Sequence, residues 1–176
     1  AFMNREGSGF EPHEISDLEI EDRWILSRLA SPIDEVQRNL TAYNPSATIN
    51  ALREFFWSDY CDWYLELVKP RMRDDATRPL AQQILALGLD QILRLLHPMV
   101  PFITERLWET LGEIVPRRGL EQELPANSLL TLAQWPESPS GWKNETLEAQ
   151  INNVREIVTG LREVRARYQV TPSTKV

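Results

Sequence analysis

The chain has 176 residues, 42% apolar and 26% charged, with a formal net charge of −7. That balance excludes a disordered acidic chain and suits one helical domain with a small appendage. One cysteine, Cys61, excludes an internal disulfide framework and fits a reducing cytosol, two distant histidines argue against a zinc site, and no apolar run approaches a membrane span.

Residues 1–16 read as a polar tail or linker, and AFMNREG as the end of something that precedes it. A first helix is expected from near Asp17, with Ile25, Leu29, Ile33, Val36 and Leu40 on one side. Pro32 should kink or break it, because proline has no N–H and crowds the preceding turn. After the turn YNPSA, a second helix should run from about Ser46 to Lys69. Leu52, Phe56, Tyr60, Trp63 and Leu67 form one apolar row of it, and Trp57, Cys61, Tyr64 and Val68 another, so a wide arc should be buried. Pro70 should disfavour α geometry at Lys69 and stop the helix.

A third helix should start with Asp75 or Thr77 as cap and carry Leu85, Leu89, Ile92 and Leu96 to the HP pair. Pro101 suits the first turn of a fourth, which Gly112 should close. Prolines and glycines punctuate 113–143, with LLTLAQW as a short extended piece. From Asn144 a long last helix sets Leu147, Ile151, Val154, Val158, Leu161 and Tyr168 in a near-heptad row, and VTPSTKV reads as its exit into a strand. The fold class is therefore all-α, an antiparallel helical bundle with a long C-terminal helix. Its division is tail 1–16, bundle 17–143, and 144–176 as a helix leading into a small α/β piece.

No catalytic constellation can be assembled. There is no glycine-rich phosphate loop and no nucleophile elbow, so no residue is assigned a catalytic or metal-binding role. His97 lies at a helix end and His13 in the tail, where structural explanations suffice. Asp59 and Asp62 lie three apart on a helix, where a polar stripe or an acceptor for Arg or Trp donors accounts for them. The charge distribution is more telling. Residues 1–22 set Arg5 against seven carboxylates, a balance of −6, whereas 151–176 set five cations against two acids, +3. Lys69, Arg71 and Arg73 cluster after the aromatic run FFWSDYCDWYLELV. Cations at a helix C-terminus favour its dipole by about 0.3–1 kcal/mol each, which by itself explains them. A protein-docking role, with the aromatics purely structural, also remains open.

DRWILSRL, FFWSDYCDWYLELVKP, LLHPMVPFITERLW and REIVTGLREVRARYQVTPSTK follow one another in an order and spacing similar to a known module. They resemble the helical anticodon-binding domain of class I aminoacyl-tRNA synthetases, in the group that charges branched aliphatic amino acids. CDWYLELVKP and REVRARYQVTPSTK resemble the valine-specific members, with the isoleucyl and leucyl members as alternatives. The resemblance implies an ATP- and Mg-dependent parent ligase, cytoplasmic and monomeric, that joins valine to tRNA(Val). This chain would lie beside its catalytic domain and recognise the anticodon stem-loop, since the HIGH and KMSKS signatures are not in the sequence. The resemblance further implies that Leu65 offers an apolar surface to an unstacked base and that Lys69, Arg71 and Arg73 meet backbone phosphates. Arg155, Arg162 and Arg165 are candidates for further RNA contacts. Pro32 departs from the family pattern.

Overall fold

The computed structural model describes residues 10–124 and 127–170. By its contacts the chain divides into two compact units, 1–143 and 144–176. The first is an all-α antiparallel bundle, and among the described residues an isolated Gly119–Glu123 bridge is the only β pairing.

A single 3-10 turn, Ile15–Asp17, precedes helix α1, Ile20–Thr41, so the helix starts three residues later than the periodicity suggests. Upstream of it the chain is tied down: His13 N donates to Leu120 O at 2.9 Å, and Gln83 Nε2 donates to Glu11 O at 2.8 Å. Helix α1 runs through Pro32 without the expected break. Proline inside a helix costs about 3 kcal/mol. Here Trp24, Ile25, Leu26, Leu29, Ala30, Ile33 and Val36 are all buried on both sides of it, and at about 1.5–3 kcal/mol per large side chain their packing outweighs one lost hydrogen bond.

Tyr43, in the left-handed region at φ 54°, turns the chain. Asn44 then caps helix α2, Pro45–Glu54, by accepting from Ala47 N at 3.1 Å, with Pro45 in the first turn. The rod continues as a π-helical stretch, Phe55–Tyr64, and a last α turn, α3, Leu65–Val68. The α-helix ends at Val68, within a residue of the expected stop before Pro70. Lys69 and Pro70 both keep right-handed helical dihedrals, and the chain tightens into a 3-10 turn at Arg71–Arg73. The steric bias against α geometry before proline is a preference, and the pinning of Arg71 described below overrides it.

Helix α4, Arg78–Leu96, follows Thr77, and α5, Pro101–Ile114, runs two residues past Gly112. Thr77 does not cap through its side chain; its hydroxyl donates to Asp74 Oδ2 at 2.9 Å instead. Gly88 of α4 meets the Tyr60 ring so closely that an added Cβ would lie 2.7 Å from Cε2. Tyr60 in turn donates to Leu85 O at 2.6 Å, which locks the aromatic rod onto α4. His97 receives or gives a 2.9 Å bond with Thr104 Oγ1, a helix-end role.

The loop region is pinned from inside. Asp90 accepts from Arg94 Nε at 2.6 Å and Arg118 Nε at 2.8 Å. Both guanidinium groups lie over Trp108, 4.9 and 4.5 Å from its centroid. LLTLAQW forms no extended piece; Leu130–Leu132 is one 3-10 turn that drives Leu130 into the core beside Trp108.

The second unit is helix α6, Glu145–Arg167. Asn144 caps it by accepting from Leu147 N at 3.0 Å, acids fill its first turn, and Arg165 and Arg167 its last. Of its apolar row Leu147 is buried and Ile151 and Val158 are half-buried, while Val154, Leu161, Val164 and Tyr168 are each more than half accessible. The expected strand entry at 171–176 lies outside the described residues, as does the expected end of a preceding segment at AFMNREG.

Candidate nucleic-acid interface

The candidate residues of the first unit sit where the aromatic rod ends. Leu65 opens α3 and is half-buried. Lys69 forms an ion pair with Glu66, one helical turn back, with Lys69 half-buried and Glu66 exposed. Such pairs contribute about 0–1 kcal/mol, so the ammonium can exchange Glu66 for another anion. Arg73 is exposed, and among the described residues its side chain has no hydrogen-bond or ion-pair partner.

Arg71 differs. Its side chain is 12% exposed, and Nη1 donates to Asp22 Oδ2 at 2.6 Å and Glu21 Oε1 at 3.1 Å. Asp22, fully buried in α1, also accepts from the Tyr64 hydroxyl at 2.7 Å. Burial pushes the Asp22 carboxyl up from its usual range, against the Tyr64 and Arg71 hydrogen bonds that lower it. Burial also works to lower the Arg71 pKa, but its bonds to Asp22 and Glu21 outweigh that and hold it above the ordinary value. Tyr64 is pushed well up by burial, then by the Asp22 charge. We read the pair as ionised, because Asp22 keeps two donors that a neutral carboxyl would not need. Arg71 Nη1 is thus committed to α1, which leaves a 12% exposed guanidinium for the expected phosphate contact and lets it position the turn that carries Arg73.

The rim is consequently less cationic than a count of Lys and Arg suggests. Glu54, Asp62, Glu66, Asp74 and Asp75 are exposed along the same rod and its end. Asp74 is committed locally, since its carboxylate accepts from the Thr77 hydroxyl and from Ala76 N, which lowers its pKa. Asp59 is buried and accepts from Arg28 Nε at 2.8 Å, the acceptor role foreseen for it, while Asp62 stays in water.

Two residues escaped the periodic reading. Trp57 and Leu67, each assigned to a buried row, are 58% and 38% exposed. The π-helical stretch widens each turn, so a row drawn at α spacing drifts off the buried face. No signal in sequence distinguishes a π stretch from an α-helix here. The helix α6 candidates Arg155, Arg162 and Arg165 share one side of their own helix, and each already has an interaction partner. Among the described residues no three His, Cys, Asp or Glu cluster as metal ligands, and no helix is long and apolar enough to cross a membrane.

Comparison with known proteins gives a family and a set of relatives. A family profile described as the anticodon-binding domain of tRNA ligase matches residues 22–176. A valine–tRNA ligase of Rhodopirellula baltica is 37% identical over 96% of this chain, and one of Fervidobacterium nodosum is 37% identical over 93%. A third, from Geobacter sulfurreducens, is 38% identical over the whole chain. The chain spans 16%, 17% and 19% of the lengths of these relatives.

Proposed function

The chain belongs to the family of anticodon-binding domains of tRNA ligases, and from that premise we propose that it recognises the anticodon stem-loop of tRNA(Val) as part of a valine–tRNA ligase. The observation that carries this reading is the family match across 155 of the 176 residues, reinforced by relatives that all carry the valine–tRNA ligase name. The parent would be a cytoplasmic, monomeric enzyme that spends ATP, with Mg, to join valine to its tRNA; no residue of this chain is assigned to that step.

The chemistry of the rod end supports the reading. A single-stranded loop is the part of an RNA whose bases a protein can reach, by stacking and by edge hydrogen bonds. Leu65 supplies apolar surface for a base, while Lys69 and Arg73 reach phosphate. Helix α5 supports a second contact of another kind. Phe102, Ile103 and Leu107 are exposed there, 91%, 60% and 46%, and on the same helix lie the exposed Glu113 and Glu109, the latter paired with Arg106. Acids repel phosphate, so we assign this surface to protein, the catalytic portion of the same ligase.

The test is binding of a labelled valine-type anticodon hairpin, set against one with the middle anticodon base changed. Preference for the cognate loop, weakened by Lys69→Glu with Arg73→Glu, is the expected result. Equal binding of both hairpins by folded protein, indifferent to the double variant, would overturn it.

A further inference from the structure

The exposed ring of Trp57 is the feature that the rod-end reading leaves unexplained. A tryptophan that reaches solvent inside a run whose other aromatics are buried or half-buried loses the stabilisation its neighbours gain. Scattered exposed apolar residues need no account, but this one is held in place. Phe56 meets the Trp57 ring edge-on, centroids 5.3 Å apart at 66°. Phe56 in turn stacks on Tyr60 at 6.2 Å and 16°. Tyr60 is anchored through its hydroxyl to Leu85 O and seated against Gly88. The exposed ring is thus the outer end of a braced aromatic ladder, so little conformational freedom remains to be lost on binding.

Its position matches the proposed RNA surface. In the π-helical stretch, residues four and five apart lie on one side, and the α turn after it keeps the four-residue step. Arg53, Trp57, Leu65 and Lys69 therefore fall on one side of the rod, though not on a straight line, since eight residues through the π stretch fall short of two full turns. Arg53 and Trp57 are exposed, Leu65 and Lys69 half-buried. A cation at each end with aromatic and apolar surface between is the layout that holds a strand by its backbone and stacks its bases. Asp62, one π turn beyond Trp57, is an exposed acceptor on that side. A carboxylate there repels phosphate but accepts from the exocyclic amino group of adenine or cytosine. The ion pairs already found at Arg71 shift the burden of recognition the same way, from phosphate contacts to bases.

We propose that Trp57 is a stacking platform for an unstacked base of the RNA loop, with Asp62 accepting from that base's amino group; the proposal rests on the anticodon-loop reading above. It names a base-binding residue about two helical turns from Leu65, so the rod contacts more than one nucleotide.

The experiment measures the same labelled hairpin by fluorescence anisotropy against Trp57→Ala, Trp57→Phe and Asp62→Asn. A second measurement follows the 19F resonance of Trp57 in 5-fluorotryptophan protein, identified by its loss in the Phe variant. Loss of about tenfold in affinity for Ala, with Phe within about threefold of the parent chain, is expected. The Trp57 resonance should shift on titration. Asp62→Asn should reduce the preference for amino-bearing bases in the loop over uridine. Because Trp57 is largely in solvent, the Ala variant should melt within a few degrees of the parent chain. Were it to unfold, the fluorine shift alone would decide. If hairpin binding responds to Lys69→Glu with Arg73→Glu but Trp57→Ala leaves it unchanged and the resonance does not move, the inference fails while the anticodon reading stands. Trp57 would then face protein. If the parent chain binds no hairpin, both fail.

Discussion

Arg71 is the residue on which charge counting and physics part. Its guanidinium belongs to a buried triad with Asp22 and Tyr64 that ties the end of the aromatic rod to α1. Arg71→Met would strand the fully buried Asp22 carboxylate, and removing one partner of such a pair costs about 3–5 kcal/mol. The expected result is a large drop in the urea midpoint, against no measurable change for Arg73→Met. The same triad sets a pH dependence. Burial holds the folded Asp22 pKa above 3.8, so the folded state binds its proton more tightly than the unfolded one. This group's contribution is full below 3.8 and is lost as pH rises through the folded pKa. Relative to Asp22→Asn, the parent chain should therefore lose stability as pH climbs above 4. Urea midpoints measured at intervals up to pH 7 check the sign, and a rising difference would mean that Arg71 and Tyr64 outweigh burial. Gly88→Ala belongs to this scale too. The helix gains about 1 kcal/mol in propensity, but the new methyl meets a Tyr60 ring that its hydroxyl bond prevents from moving. A net loss of about 1–2 kcal/mol, or a melting temperature lower by several degrees, is expected.

At the scale of elements, the sequence announced the helices and misjudged how they end and bend. Periodicity located α1, α4 and α5 because their apolar residues recur at helical spacing whatever their neighbours. Pro32 and Pro70 were read by local sterics alone: α1 continues through Pro32, and Lys69 keeps helical dihedrals although α3 does end before Pro70. If Pro32 is tolerated because the packing around it is strong, replacing it should release a cost. Pro32→Ala restores an N–H toward the Arg28 carbonyl and improves propensity by about 3 kcal/mol, less about 1–1.5 kcal/mol of lost ring burial. A gain of roughly 1–2 kcal/mol in calorimetry is expected; destabilisation would show that the ring itself holds α1 in place. Helix α6 shows the converse limit. Its heptad row was plain in the sequence, yet half of it is exposed, because periodicity gives the direction of an apolar face and says nothing of what meets it.

For the whole molecule, the net charge of −7 and the neutralised rim predict modest electrostatics. With Arg53, Lys69 and Arg73 the cations best placed for phosphate, about one to three counterions should be released on binding a loop. The slope of log affinity against log salt should then be about −0.7 to −2.1. Anisotropy titrations across salt concentrations test this, and a slope several times steeper would place further cations in the interface. Leu65 and Lys69 were legible as candidates because their motif could be recognised in one dimension. The commitment of Arg71 to α1 and the exposure of Trp57 were not, since both depend on what α1 and the π stretch bring to them.

By itself the sequence determined an all-helical chain, the course of its main helices and the family it belongs to, because apolar spacing and motif order are properties of neighbours along the chain. Which charges remain available, whether a proline breaks a helix, and which aromatic reaches water were decided only in three dimensions. Ion pairing, burial and side-chain bracing are set by residues far apart in sequence: Asp22 meets Arg71, Gly88 meets Tyr60, and Arg118 meets Asp90 only once the bundle has closed.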